Sequence, residues 1–208
     1  MPEMLRKTKK TILWLVRHGQ TDWNIEGRYQ GQADTSLNPT GIAEAGEAAQ
    51  QLAGRPFQKV YSSDLTRAKQ TAELIARPRN ATILVDPRLR EISLGEWEGQ
   101  LFNLIQVSYP QEVAQRELTP LTFRAPGGES IEDIWRRVQQ AVNDINAQNP
   151  GEEVVVVSHG LVLATLLAYA RDHDISQAYT HIPVNATPER MEWPVNGLAS
   201  EGGDHHAA

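Results

Sequence analysis

The chain has 208 residues, of which 40% are hydrophobic and 22% charged, and its formal net charge is −6. This length predicts one domain with a substantial core. The negative balance argues against nucleic-acid and anionic-membrane binding, because both need a broad basic surface. The absence of cysteine excludes disulfides, thiol catalysis and cysteine-ligated metals.

The first element in chain order is the apolar run "TILWLV" at 11–16, which follows the short basic stretch "RKTKK". The run is too short for a transmembrane helix, and no small-residue cleavage site follows it. We therefore expect a cytoplasmic protein whose partner is neither a membrane nor a nucleic acid.

Apolar runs rich in β-branched residues predict strands of a parallel sheet covered by helices. The four candidates lie at 11–16, 57–63, 81–86 and 153–158. A fifth candidate, "RMEWPV" at 190–195, is expected at the sheet edge because Pro194 has no backbone N–H to donate.

Helical patterns alternate with these strands. Asn38 and Pro39 are a good N-cap and first helical residue for the segment that follows, and Asp64 is expected to cap the next helix. An apolar stripe at 131–145 predicts a long amphipathic helix, and the apolar segment 160–170 predicts a buried one. Alternating strands and helices predict an α/β three-layer sandwich with a central, mostly parallel sheet.

The chain shows no internal repeat and no linker that would divide it. We expect a single catalytic domain over 1–198 and a disordered tail at 199–208, where small and polar residues dominate. A homodimer is also considered, because an exposed edge strand such as 190–195 can pair with a second copy.

Polar side chains follow the predicted strands at the points where the strands end. Arg17 and His18 follow the first strand, and Arg67 stands one turn into the helix after the second. Glu91 follows the third strand and His159 the fourth. Because ligands of open α/β sheets bind at the carboxyl ends of the strands, we expect these side chains to meet at one site.

This set of residues suits phosphoryl transfer. The planar guanidinium of arginine matches the oxygens of a phosphate and stays charged. A neutral imidazole can attack phosphorus without a base to deprotonate it, and a nearby carboxyl can protonate the leaving alkoxide and then activate water. The set predicts covalent catalysis through a histidine, with no metal and no cofactor.

Four stretches, "LVRHGQTDWN", "SSDLTRAKQTA", "LREISLGEWEG" and "VVVSHG", resemble the motifs of the histidine phosphatase superfamily, or phosphoglycerate mutase-like family, in the family's order. The resemblance implies a mostly parallel sheet flanked by helices. It implies His18 as the phosphorylated nucleophile and Glu91 as the proton donor. It also implies that Arg17, Arg67 and His159 surround the phosphoryl group.

The resemblance implies further contacts with the substrate. Asn24 and Gly160 are expected to bind the phosphoryl group, and the stretch 27–34 matches a family loop that closes over the site. That loop places Gln30 and Gly31 near the substrate.

The length of one segment favours a phosphatase over a mutase. Resembling mutases carry a long insertion with extra basic residues after the "WEG"-like motif, whereas here only about 28 positions separate Gly99 from Gly127. That stretch holds two arginines, Arg116 and Arg124. The leading prediction is a metal-independent phosphatase of a small phosphorylated metabolite, with phosphoserine as the first candidate.

Other functions stay open at this point. A 2,3-bisphosphoglycerate-dependent phosphoglycerate mutase would return the phosphoryl group to a second hydroxyl, and another family phosphatase, such as α-ribazole phosphatase, would differ in its leaving group. A non-catalytic module that captures phosphorylated ligands usually lacks a catalytic residue, and none is missing here. The leaving group is expected to contact 27–40 and 101–126. The sequence N-x-T at Asn185 matches the pattern of an N-glycosylation site, and we assign it no function.

Overall fold

The computed structural model describes residues 9–194, and within them five strands form one sheet. The strands are β1 (Thr11–Arg17), β2 (Lys59–Ser62), β3 (Thr82–Val85), β4 (Glu153–Ser158) and β5 (Glu189–Trp193). Their order is β3-β2-β4-β1-β5, with β5 antiparallel to β1 and the other pairs parallel. The prediction of an α/β fold with a mostly parallel sheet is confirmed.

Helices cover both faces of this sheet. They are α1 (Asp22–Glu26), α2 (Pro39–Gln51), α3 (Thr66–Ala76), α4 (Phe102–Ser108), α5 (Pro110–Leu118), α6 (Ile131–Gln148) and α7 (Gly160–Ala170). Helices α6 and α7 share one hydrophobic cluster with the sheet, and α2 and α3 share the other. None of the helices in the described range is both long and apolar enough to cross a bilayer.

The position of β1 inside the sheet, covered on both faces, explains its continuous apolar sequence. Leu13 and Leu15 belong to the cluster on the α6–α7 side, while Trp14 and Val16 belong to the cluster on the α2–α3 side. Because successive side chains of a strand point to opposite faces, a strand covered on both sides needs apolar residues at every position. The edge strand β3 is far less buried, and Val85 is 51% exposed.

Two expectations from the sequence differ from the structure. Asp64 does not cap α3; it pairs with Arg90 at 2.5 Å, and Asp34 takes its place. The Asp34 carboxylate accepts from the backbone N–H of Thr66 at 2.6 Å and from its hydroxyl at 2.8 Å. The second difference is the stretch 102–118, for which no helix was predicted and which forms α4 and α5.

The predicted ends of the chain lie partly outside the described residues. The edge strand expected at 190–195 is confirmed as β5, although its last residue is not described. The single-domain prediction over 1–198 and the disordered tail at 199–208 stay predictions, because both extend past residue 194.

The turn after β1 packs against the start of α2 with no room for side chains. A Cβ atom at Gly19 would lie 2.3 Å from the Gly41 carbonyl oxygen, and one at Gly41 would lie 2.1 Å from the Gln20 carbonyl oxygen. Asn38 caps α2 by accepting from the Gly41 N–H at 2.9 Å and donates to the Gln20 side chain at 3.1 Å. This contact fixes the turn that begins at His18.

Replacing Gly41 with alanine should lower the free energy of unfolding by roughly 1–3 kcal/mol, because the new methyl group forces the turn away from α2. Gly46→Ala in the same helix is the control, since no atom outside the backbone of its own helix lies within 4 Å of the added Cβ. That control should be more stable than the parent by about 0.5–1 kcal/mol. Urea unfolding of both variants measures this, and a neutral Gly41→Ala would contradict the close packing.

Candidate active site

The carboxyl ends of the parallel strands open into a cavity of about 960 Å³. Every predicted site residue except His159 lines it: Arg17, His18, Asn24, Gln30, Gly31, Arg67, Glu91 and Gly160. His159 lies directly beside it, with its ring centroid 5.2 Å from that of His18. The structure therefore brings all the predicted residues to one edge of the sheet.

His18 is held in one tautomer. Its Nδ1 lies 2.7 Å from the Gly19 carbonyl oxygen, and since a carbonyl only accepts, Nδ1 carries the proton. The other ring nitrogen, Nε2, therefore presents a lone pair. The Nε–H of Arg67 lies 3.3 Å from Nε2 and donates to it. His18 itself is only 3% exposed.

Burial makes both histidines neutral. Desolvation, followed by the charges of Arg67 and Arg17, lowers the pKa of His18 well below its ordinary value. Desolvation and then the charge of Arg67 also lower the pKa of His159 well below its ordinary value. At neutral pH, His18 thus has the uncharged ring that nucleophilic attack requires.

Three buried nitrogen atoms around His18 have no hydrogen-bond partner within residues 9–194. They are Nε of Arg17 and both ring nitrogens of His159, which is fully buried. A buried donor without an acceptor costs about 1–3 kcal/mol, so such groups call for a specific explanation. The Nε–H of Arg17 and the single ring N–H of neutral His159 are donors beside His18, where they suit the oxygens of a phosphoryl group.

Arg67 connects the nucleophile to the loop over the site. Its guanidinium is fully buried and donates to the carbonyl oxygens of Ala33 at 2.7 Å and Gly31 at 2.8 Å. Burial lowers the pKa of Arg67 to about 10, so the side chain stays charged at neutral pH. The sequence predicts only a phosphoryl contact for Arg67, and the structure shows that Arg67 also anchors this loop.

Glu91 is fixed at the start of α7. Its carboxylate accepts from its neighbour Ile92 N–H at 2.9 Å and from Leu161 N–H at 3.2 Å, at the positive end of the helix. Its charge also offsets part of the lowering of the pKa that burial causes at Arg17 and Arg67. The carboxyl group is thus oriented beside the two arginines, where a leaving oxygen could receive a proton.

Asn24 and Gln30 each use the amide oxygen for local structure. The Asn24 oxygen accepts from the N–H of Thr21 at 3.0 Å and from its hydroxyl at 3.1 Å, which closes the capping box of α1. The Gln30 oxygen accepts from the Thr35 hydroxyl at 2.8 Å. Both amide nitrogens belong to side chains that line the cavity and remain as donors for a substrate.

The segment 182–186 belongs to the site and was missed from the sequence. The Pro183 carbonyl accepts from Arg17 Nη1 at 2.9 Å, and the Asn185 side chain donates to the His18 carbonyl at 2.7 Å. These contacts hold the strand end in place from a distant part of the chain. The only sequence signal at Asn185 was a glycosylation pattern, which does not point to this role.

Gly160 leaves space beside Arg17. A Cβ atom at this position would lie 2.9 Å from the Ile182 side chain and 3.5 Å from Arg17 Nε. Glycine therefore lets the start of α7 and the segment 182–186 close around the arginine.

Apolar and aromatic side chains also line the cavity. They are Ile25, Tyr29, Ile92, Leu94, Trp97, Phe102, Phe123, Tyr179 and Ile182. Phe102 and Phe123 come from the stretch 101–126 that was expected to contact the leaving group. Tyr179 and Ile182 come from a stretch that was not.

A neutral, buried histidine among arginines is typical of a phosphoryl-transfer enzyme. Comparison with known protein families identifies the same class of enzyme. The sequence profile of the histidine phosphatase superfamily, branch 1, matches residues 13–200. The chain belongs to this superfamily and is an enzyme of its phosphatase and mutase type.

The names of similar proteins include both a mutase and phosphatases. A probable phosphoglycerate mutase of Proteus mirabilis is 35% identical over 158 residues, which cover 75% of this chain and 73% of the relative. The solved structure of a mycobacterial glucosyl-3-phosphoglycerate phosphatase with VO3 is 33% identical, with a TM-score of 0.77 and coverage of 88% and 90%. The solved structure of a mutant phosphoserine phosphatase of Entamoeba histolytica with phosphoserine is 31% identical, with a TM-score of 0.74 and coverage of 86% and 89%.

The buried histidines predict a loss of stability in mild acid. They stay neutral in the folded chain, whereas histidines of the unfolded chain take up protons below about pH 6.5. The unfolded state then binds more protons. The free energy of unfolding should therefore be fully retained above that pH and fall below it, by up to about 1.4 kcal/mol per pH unit for each histidine.

Urea unfolding between pH 8 and 5.5 measures this slope. His159→Gln should reduce the slope, since one of the two buried rings is removed. His173→Gln is the control, because His173 is exposed and should leave the slope unchanged. A flat profile in the parent protein would contradict the buried neutral rings.

Proposed function

We propose that the protein hydrolyses phosphomonoesters through a phosphohistidine formed on Nε2 of His18, without a metal. The observation that carries this proposal is the fixed tautomer of a neutral His18 beside the unpartnered donors of Arg17 and His159. A lone pair and donors for phosphate oxygens are the two requirements of this chemistry.

In the first step, Arg67 Nε–H moves its hydrogen bond from His18 Nε2 to a phosphoryl oxygen. The freed lone pair of Nε2 attacks phosphorus, and the bond from phosphorus to the alcohol oxygen breaks. Arg17 and Arg67 stabilise the charge on the phosphoryl oxygens, and His159 donates a further hydrogen bond. Glu91 carries a proton in the substrate complex, where the phosphate charge offsets the two arginines, and gives it to the departing alkoxide. The Gly19 carbonyl accepts from Nδ1–H and so stabilises the positive charge that the ring acquires.

In the second step, water attacks the phosphoryl group and the bond from phosphorus to His18 Nε2 breaks. Glu91, now a carboxylate, takes a proton from that water, and inorganic phosphate leaves. His18 regains its lone pair, and Glu91 is again protonated for the next cycle.

The short segment between Gly99 and Gly127 supports hydrolysis over mutase activity. It forms α4 and α5, and of its two arginines Arg124 is ion-paired with Asp133. Only Arg116 lines the cavity. The second candidate is a 2,3-bisphosphoglycerate-dependent phosphoglycerate mutase, which the similarity to probable mutases favours.

Phosphoserine stays the first substrate candidate, and the similarity to a phosphoserine phosphatase supports it. The cavity volume of about 960 Å³ also admits larger esters such as α-ribazole phosphate, because pockets for drug-sized ligands measure ~300–1,000 Å³. A cytoplasmic location and a homodimer stay predictions.

The proposal is tested by phosphate release from a panel of phosphomonoesters in EDTA, with and without 2,3-bisphosphoglycerate. We expect release without the primer, with phosphohistidine on His18 detected by mass spectrometry of the quenched reaction. His18→Ala should abolish both. Interconversion of 2- and 3-phosphoglycerate only after priming, with no release, would favour the mutase instead.

The role of Glu91 predicts a dependence on the leaving group. Glu91→Gln should slow hydrolysis of alkyl phosphates by roughly 100- to 10,000-fold, because alkoxides need a proton to leave. It should slow p-nitrophenyl phosphate much less in the first step, since p-nitrophenolate leaves without a proton. Burst kinetics separate the two steps, and equal slowing of the first step for both esters would contradict the role of Glu91 as acid.

A further inference from the structure

The segment that carries Glu91 has little regular structure of its own. A single 3-10 turn at Pro87–Leu89 follows β3, and residues 90–94 form neither helix nor strand. The carbonyl groups of such a segment have no ladder of backbone hydrogen bonds to hold them, so other donors must do so. The position of the Glu91 carboxyl group therefore depends on side chains from other elements.

One arginine of α6 binds three carbonyl groups of this segment. Arg137 Nη1 donates to the Arg88 carbonyl at 2.8 Å and to the Arg90 carbonyl at 2.6 Å. Its Nη2 donates to the Glu91 carbonyl at 3.0 Å. Because the N–H bonds of a guanidinium lie in one plane at fixed angles, this group sets the relative positions of the three carbonyls.

Glu129 holds the remaining donors of Arg137. Arg137 Nε and Nη2 each donate to the Glu129 carboxylate at 3.0 Å. The same carboxylate accepts from the Ser93 N–H at 2.9 Å, and the Ser93 carbonyl accepts from the Glu129 N–H at 2.8 Å. The ion pair thus holds the chain on both sides of Glu91.

Arg137 has no donor left for a substrate. All five N–H bonds of its guanidinium are used within the protein. In the part of the chain that the structure describes, Arg137 also does not line the cavity, whereas Glu91 does. Any effect of Arg137 on the reaction must therefore act through the residues that it holds.

We propose that Arg137, held by Glu129, is a positioning residue for the proton donor, and that it fixes the backbone at 88–91 so that the Glu91 carboxyl group meets the leaving oxygen. Proton transfer needs this contact within hydrogen-bond reach, and a small displacement of the acid removes it. The inference rests on the proposed function, because that proposal gives Glu91 its role as acid.

Arg137→Lys tests the inference, because lysine keeps a positive charge for Glu129 and loses the planar set of donors. Phosphoserine and glycerol 3-phosphate serve as alkyl esters, and p-nitrophenyl phosphate as the ester that needs no acid. We compare kcat/KM, which covers only the steps up to release of the alcohol. The variant should lower it by roughly 10- to 100-fold for the alkyl esters and change it little for p-nitrophenyl phosphate.

Arg136→Lys is the matched control one position earlier on α6. The Arg136 side chain is 67% exposed and pairs with Asp133 at 3.5 Å. This variant should leave kcat/KM unchanged for all three esters. Urea unfolding checks that each variant is folded, and Glu129→Gln is a second variant that removes the charge holding the Arg137 guanidinium. It should show the same selective loss with alkyl esters.

A double variant separates positioning of Glu91 from a general structural role. In a Glu91→Gln background, Arg137→Lys should lower kcat/KM for the alkyl esters by less than about twofold, because its effect passes through an acid that is already absent. A residue that only supports the fold would instead slow all three esters alike and slow the Glu91→Gln enzyme by the full factor.

Equal slowing of alkyl and p-nitrophenyl esters by Arg137→Lys would overturn the inference, and so would unchanged kcat/KM for the alkyl esters. A full additional loss in the double variant would also overturn it. Failure of the proposed function looks different: no ester releases phosphate, or Glu91→Gln by itself slows all three esters alike.

Discussion

The site depends on the buried guanidinium of Arg67. A buried charge is costly unless it is hydrogen-bonded, and the carbonyl oxygens of Gly31 and Ala33 supply the bonds. Because the same group touches His18 and adds to the burial that lowers its pKa, one arginine orders the loop and helps to keep the nucleophile uncharged. Loop position and nucleophile chemistry are therefore coupled through a single side chain.

The central arrangement could be predicted from the sequence because parallel strands end at the same edge. Arg17 pairs in register with Ser158, so the residues that follow, His18 and His159, are necessarily neighbours. Continuous apolar runs identified the two strands, and the polar residues after each run identified the site. Glu91 needs more than a third parallel strand, because β3 lies at the far edge of the sheet. The residues after β3 cross to β4, where the Ser158 hydroxyl donates to the Leu89 carbonyl. The meeting of His18 and His159 follows from local sequence pattern and sheet geometry alone.

The rest of the site could not be predicted because it depends on contacts between distant segments. Asn185 binds the His18 carbonyl across 167 positions, and Asp34 caps a helix that begins 32 positions later. No local spacing encodes either contact. The short helices α4 and α5 have weak patterns, since α5 buries no residue and α4 buries only Ile105.

That shallow packing of α4 and α5 has an evolutionary consequence. The phosphoryl end is built from β1, β4 and α7, whose side chains are largely core, so substitutions there cost folding as well as chemistry. The α4–α5 wall contributes little to the core, and its residues can be exchanged at small cost in stability. Proteins descended from such a chain can therefore acquire new substrates through substitutions in α4 and α5 and keep the same reaction.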